Sequence, residues 1–321
     1  MKKGYWYILL ATVLFSSMEI ALKSIAGQFN PIQMNLIRFL VGGLILIPFA
    51  RQTLKKRKEA LNSSSILYFA FLGFLGVVVS MTFYQLAVES ANASEVAVLF
   101  SSNPVFILIF SGIILHEVIK KNHVVAIVFE IIGILVIINP LHTQINIPGV
   151  VMAILAALAF ALYSVFGKEH CARYGGITIT CGSFLCASVE MVLLIAISHI
   201  GPVADFLGTM GLGMFADIPV FTGFTLSNIA VMLYICVAVT GGGYAFYFLA
   251  MEETSASTAS LVFFLKPVLS PIFAMFILGE SIPINMVIGI VLILVGSMAN
   301  LLPAFMQSKK IPDETTAALS T

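Results

Sequence analysis

The sequence predicts an all-α membrane protein of ten transmembrane helices, arranged as two inverted five-helix repeats. Three observations carry this prediction. The 321 residues are 60% hydrophobic and only 10% charged, with a mean hydropathy of +1.07. A water-soluble domain of that length needs far more charge on its surface. Residues Tyr84 to Pro140 align with Tyr247 to Pro303 without a gap at a constant offset of 163, and 21 of the 57 pairs are identical. That is more identity than apolar bias alone produces. The cationic residues, finally, fall almost wholly on alternate loops, as membrane insertion requires.

A helix that crosses the hydrocarbon core needs about 20 mainly apolar residues. Ten stretches qualify, numbered here as segments 1 to 10: 5–25, 32–50, 66–88, 93–115, 123–139, 148–167, 177–199, 229–250, 256–278 and 285–302. Turn formers separate them. Asn30-Pro31 opens segment 2, Asn139-Pro140 closes segment 5, and Pro148-Gly149 starts segment 6. Gly175-Gly176 precedes segment 7, Gly201-Pro202 follows it, and Pro283 introduces segment 10. Each is a helix start or stop signal with a steric cause.

With the N-terminus placed inside, Lys2, Lys3, Arg51, Lys55, Lys56, Arg57, Lys58, Lys120, Lys121, Lys168, Arg173, Lys309 and Lys310 all fall on inner loops or ends, and the outer loops receive no Lys or Arg. The expected topology is multi-pass in the cell (inner or plasma) membrane with both termini cytoplasmic. The short inner loop at Glu252-Glu253 lacks the positive charge. Five segments per half is an odd number, so the second half must enter from the opposite face. Glu117 then ends segment 4 at the inner side, and its counterpart Glu280 ends segment 9 at the outer side. The first helices of the halves match at an offset of 145: Gly4 on Gly149, Phe15 on Phe160, Lys23 on Lys168. The organisation read from this is a first repeat over 1–140, a second over 148–303, and a polar cytoplasmic tail over 304–321. The offset grows by 18 through an outer stretch at 200–228. This stretch is a tolerated loop insertion, an interfacial half-helix or a lid. Duplicated spanning segments mark a transporter with its substrate site between the repeats.

Other chemistries lack their signatures. Net charge is +1, so no polybasic surface points to nucleic acid. Cys171, Cys181, Cys186 and Cys236 form no CxxC pair and read as small core hydrophobes. His116-Glu117 and His123 put the second histidine at i+7, which fails the zinc spacing of HExxH. No Walker A run, nucleophile elbow or His/Asp cluster occurs, and no soluble sensor domain. The expectation is no cofactor, no metal and no enzymatic activity.

The runs "NPVFILIFSGIILHE" and "KPVLSPIFAMFILGE", the Ile37-Arg38-Phe39 of segment 2 and the "VIGIVLILVGSMA" of segment 10 resemble the EamA-type transporters of the drug/metabolite transporter superfamily. The resemblance covers about residues 5–303. It implies a central cavity lined mainly by segments 1, 3, 4, 6, 8 and 9, and alternating access. It is specific for the fold and not for the substrate: the family moves amino acids, other small metabolites, nucleotide precursors and sugar phosphates.

Six ionisable groups fall at bilayer depth: Glu19, Lys23, Arg38, Glu130, Glu190 and Lys266. Each costs about 2.5–3.5 kcal/mol on insertion scales and so needs a reason. Lys266 lies mid-segment before Pro267, where the ring removes a backbone N–H and should bend the helix. Its repeat counterpart is Asn103, before Pro104. A fixed cation opposite a neutral amide suits a ligand with one anionic end, such as an amino-acid carboxylate. The alternative is a structural ion pair with a buried glutamate. Glu19 sits four residues before Lys23, which allows a local pair. It also suits a proton-coupling carboxylate, because burial disfavours the charged form of a carboxyl group. Its counterpart is Ser164, beside Tyr163. Arg38 is expected toward the outer side, as a structural group pairing a carboxylate or loop carbonyls, or as an outer gate. Glu130 and Glu190 are expected to hydrogen-bond between helices. Tyr84 and its counterpart Tyr247, with Gln85, Ser102 and Tyr244, complete the candidate pocket. Gly241-Gly242-Gly243 serves close packing or a hinge.

The resulting expectation is a secondary active exporter of amino acids or similar small metabolites, driven by protons or by exchange. Lys266, Asn103, Tyr84, Tyr247, Tyr163, Ser164, Ser102, Gln85 and Tyr244 would bind substrate. Glu19, Lys23 and Arg38 would couple or gate. Partners would be a small-molecule substrate and the lipid bilayer, in a monomer or homodimer. The rival substrates are phosphorylated metabolites or nucleobases; outside the class stand a membrane enzyme or a sensor.

Overall fold

In a computed structural model, residues 2–118, 121–138 and 146–308 are described. Lys120, Asn139, Pro140, Lys309, Lys310 and the end of the expected tail lie outside them. The described residues are helical, with no strand among them. Among the described residues, eight helices are long and apolar enough to cross a bilayer: Lys3–Ser24, Pro31–Arg57, Ser63–Ser90, Ala93–Ile114, Ile147–Glu169, Gly176–Ser198, Ile229–Glu253 and Ala256–Leu278. They match segments 1 to 4 and 6 to 9. At segments 5 and 10 the apolar helical stretches are shorter, Val124–Ile137 and Ile284–Gly296.

Local chemistry sets the boundaries. Asn30 closes a capping box with Gln33, and Pro31 occupies the first turn, where its missing N–H costs nothing. The same helix stops at Lys58, which adopts the left-handed conformation at φ 56°. Asn62 and Ser65 form the next capping box.

Contacts sort the connections into two ends. At one end Arg57 pairs with Glu252 and bonds the Ala172 carbonyl, Arg173 Nε meets Glu59 at 3.2 Å, and Gly4 lies against Thr254. At the other, Lys23 bonds Ala91, and Asn228 donates to Gln28 at 2.7 Å. Residues related by the offsets make matching contacts. Lys23 donates to the Val88 and Ala91 carbonyls; Lys168 donates to those of Met251 and Thr254. Glu117 accepts from Ala256 N (3.2 Å) and Ser257 Oγ (2.6 Å). Glu280 accepts from Ala93 N (2.9 Å), Ser94 N (3.1 Å) and Ser94 Oγ (2.5 Å). Each carboxylate therefore caps the first turn of a helix in the other half, where free N–H groups welcome an anion.

Segments 5 and 10 meet backbone to backbone. A Cβ on Gly133 would strike the Gly289 carbonyl, and one on Gly296 would strike that of Ala126. Small residues permit this approach, and the close contact holds the pair together. Segments 3 and 8 each contain a π-helical stretch, Phe74–Val79 and Tyr234–Gly243, at corresponding places. The glycine run of segment 8 serves packing: Gly241 lies against Gly42, and Gly243 against the Phe15 ring.

At Lys266 segment 9 stays helical. Helix Leu261–Leu278 runs through Pro267 and Pro271, and the interruption comes earlier, at Ser260. In segment 4 the helix does break just before its proline, at Ser101–Ser102, and restarts with Pro104 in its first turn. The difference lies in side chains. Ser101 Oγ bonds the Ala97 carbonyl and helps to close the first piece, whereas the corresponding Phe264 and Leu265 offer no polar atom to take over backbone groups.

The insertion at 200–228 is a helix, Gly201–Thr209, followed by a loop tied over the turn between segments 1 and 2. Asn30 donates to Met214 O (2.8 Å), and Gln33 donates to Val220 O and Thr222 O. Phe224 packs edge-on against Phe29.

Candidate functional site

Segment 1 is interrupted at Ser17, and Glu19 lies in the first turn of the piece that follows, Met18–Ser24. Its carboxylate forms an ion pair with Lys266 of segment 9, and both side chains have 0% exposure. The ammonium lies 4.8 Å from the centre of the Phe100 ring and 5.5 Å from that of Tyr84. Aromatic faces stabilise a desolvated cation. Glu19 is a charged neighbour of Tyr84, whose buried hydroxyl has no hydrogen-bond partner among the described residues. The partner that the sequence left open for Lys266 is therefore Glu19, 247 residues away in the chain. The local Glu19–Lys23 pair does not form: Lys23 spends its donors on the last carbonyls of segment 3, which a helix end leaves unsatisfied.

Arg38 joins this cluster from segment 2. It is fully buried, not placed among outer loop carbonyls. Its Nε donates to Asn35 Oδ1 (3.0 Å), its Nη1 reaches Met18 Sδ (3.7 Å), and the guanidinium lies 4.7 Å from the Phe39 ring centre. Tyr244, Tyr84, Cys236 and Glu19 are its titratable neighbours. Nη2 has no hydrogen-bond partner among the described residues.

The counterpart positions hold neutral groups. Tyr247 donates to Ser164 (3.2 Å), which donates to the Phe160 carbonyl (2.8 Å). Asn103 donates to the Ala157 carbonyl at 2.7 Å, and its Oδ1 is unpartnered among the described residues. Between the two sets, Tyr244 donates to Met81 Sδ at 3.0 Å, and the Phe100 and Phe263 rings lie 5.8 Å apart. Each of these two contacts joins a residue to its own repeat counterpart.

The structure thus brings Glu19, Lys266, Tyr84, Arg38 and Tyr244 into one cluster. Asn103, Ser164 and Tyr247 form its neutral counterpart. Tyr163 turns to Ser183 of segment 7 (3.1 Å), and Gln85 to Glu89 (3.5 Å). Ser102 marks the break in segment 4 and its hydroxyl has no partner among the described residues. Both oxygens of the buried Glu130 and Oε2 of Glu190 are unpartnered among the described residues. Glu190 lines an apolar groove of 410 Å³ between segments 3 and 7, with Leu67, Phe71 and Phe74. Sequence reasoning missed the crosswise caps of Glu117 and Glu280. Their signal was present: Ser94 and Ser257 recur in the same register as the two glutamates.

The sequence pattern of the EamA-like transporter family matches residues 2–139 and 147–302. A protein of Clostridium kluyveri described as an uncharacterized transporter is 38% identical over 308 residues, 94% of this chain and 93% of its own length. The S-adenosylmethionine uptake transporter of Rickettsia prowazekii is 27% identical over 166 residues, 52% of this chain and 55% of that protein. A solved crystal structure at 18% identity has the same fold, with a TM-score of 0.71 over 96% of this chain and 99% of that one. A multi-pass helical membrane protein with such relatives has a general transport role, and the chain belongs to the EamA-like transporter family.

Proposed function

We propose that this protein is a secondary active transporter that exports amino acids or similar small carboxylate-bearing metabolites across the inner membrane. Ten crossings in two inverted halves, residues 1–140 and 148–303, rock about a site near the bilayer centre, with both termini cytoplasmic. The contacts between repeat counterparts, Met81 with Tyr244 and Phe100 with Phe263, support the inverted arrangement. The positive-inside pattern supports the orientation.

One observation carries the functional reading: a buried ion pair, Glu19–Lys266, at a position whose counterpart in the other half is neutral. A purely structural buried pair stabilises little against a well-packed apolar alternative. In a membrane helix such a pair marks a solute or proton path. Lys266 is the group for the substrate carboxylate. Glu19 is its resting counter-anion and the carrier of a coupling proton when a proton gradient drives transport. Exchange of one solute for another uses the same site without net proton movement.

Transport by the purified protein in vesicles tests this. Lys266→Gln should lower flux at least about a hundredfold, since it removes a buried charge interaction of about 3–5 kcal/mol. That single change also strands Glu19, so the neutral double variant Lys266→Gln/Glu19→Gln serves as the folding control. Normal flux in a folded variant lacking Lys266 removes this residue from the mechanism.

A further inference from the structure

The site contains more positive charge than its ion pair uses. Among the described residues, the charged groups of the cluster are Glu19 on segment 1, Arg38 on segment 2 and Lys266 on segment 9. The other titratable side chains facing them are Tyr84 on segment 3, and Cys236 and Tyr244 on segment 8. Lys266 is neutralised by Glu19. Arg38 is held by dipoles: the Asn35 oxygen, the Met18 sulfur and the face of Phe39. Dipoles orient a guanidinium, but they do not cancel its charge. An uncompensated charge at this depth is costly, and Arg38 retains an unused buried donor, Nη2.

We infer that the site is matched to a solute carrying one net negative charge, with Arg38 as its second anchoring cation. This rests on the transport reading above and narrows its substrate class. With Glu19 ionised, the three side chains sum to one positive charge. A zwitterionic amino acid adds nothing to that sum and leaves the excess in place. A dianion, such as a doubly ionised phosphate ester, overshoots it. A monoanion cancels it: a simple carboxylate or an acidic amino acid binds its carboxylate oxygens to Arg38 Nη2 and to the N–H donors of Lys266. A second carboxylate or polar end faces the neutral group of Asn103, Ser164 and Tyr247. Arg38 then sets specificity by charge rather than by shape.

The charge sum is testable in the full-length protein. Binding is measured by thermal shift and by calorimetry against sets of probes sharing a carbon skeleton and differing in charge. One aliphatic set is glutamine (neutral), glutamate (singly negative) and glutarate (doubly negative). An aromatic set built on 3-phenylpropanoate is phenylalanine (neutral), phenylpyruvate (singly negative) and benzylmalonate (doubly negative). The wild type should prefer the singly negative member of a set by about tenfold or more, the scale of one unpaired buried charge. Arg38→Gln brings the sum to zero and should shift the preference to the zwitterion. Glu19→Gln raises it by one and should shift the preference to the dianion. Arg38→Lys keeps the charge and should restore the wild-type order, which a purely structural arginine would not do. If Arg38→Gln does not fold, the opposite shift in Glu19→Gln still decides. An order of preference unchanged by either substitution sinks the charge rule and leaves the carboxylate reading standing. Absence of binding by every probe to the wild type removes both.

Discussion

Glu19 is a carboxylate 0% exposed, joined to one lysine and adjacent to an arginine. A group so placed either never changes protonation or does so as part of a cycle. Replacing it with glutamine keeps the shape and deletes the titration. In vesicles, flux through Glu19→Gln should lose its dependence on an imposed pH gradient, while wild-type flux rises with it; an unchanged pH profile assigns Glu19 to structure alone. That these residues need partners was legible one at a time, because an ionisable side chain in an apolar helix is costly. Their partnerships were not. The i,i+4 rule offered Lys23 to Glu19, but Lys23 satisfies two carbonyls at a helix end. Lys266 then takes the carboxylate from 247 residues away. Local spacing cannot foresee a contact that depends on how segments 1 and 9 pack. Arg38 escaped for the same reason: its burial follows from how segments 1 and 2 pack around it.

Among the elements, segments 5 and 10 meet through small residues that permit close approach. The Gly133–Gly289 contact leaves no room for a side chain. Gly289→Leu should therefore lower the thermal midpoint in detergent, by an amount corresponding to about 1–3 kcal/mol of overpacking. Gly279→Ala is the comparison: that glycine has open space, although its φ of 71° carries a small penalty of its own. Equal midpoints for Gly289→Leu and wild type would show the two helices to be separable. Segments 4 and 9 were only half legible. Their prolines announced irregular helices, yet the break falls at Ser101–Ser102 in one and at Ser260 in the other. Proline removes the same bond in both; the neighbouring side chains decide whether the helix then stops. The π-helical stretches of segments 3 and 8 left no mark in hydropathy, because one extra residue per turn does not change composition.

At the scale of the molecule, the helical membrane class followed from composition. The number of crossings rests on length alone at segments 5 and 10, where the apolar helices are short. Single cysteines at residues 205 and 55, in a chain freed of its native cysteines, should label from opposite sides of an intact cell: Asp205→Cys from outside, Lys55→Cys only after permeabilisation. The reverse pattern overturns the orientation. The insertion at 200–228 shows the limit of a hydropathy reading. Its sequence left a loop insertion, an interfacial half-helix or a lid open; a short helix follows segment 7, and Asn30, Gln33 and Asn228 knit the stretch to the turn beside it. Amide side chains in a loop say that bonds will form, not with what.

The glutamates that end segments 4 and 9 carry a consequence for how such a chain is completed. Glu117 finishes the start of segment 9, and Glu280 finishes the start of segment 4. Neither copy closes its own backbone. A polypeptide stopped midway would present bare amides at one face of the lipid and a lone carboxylate at the other. The two stretches are tenon and mortise for each other: each holds out a carboxylate that the other's amides receive.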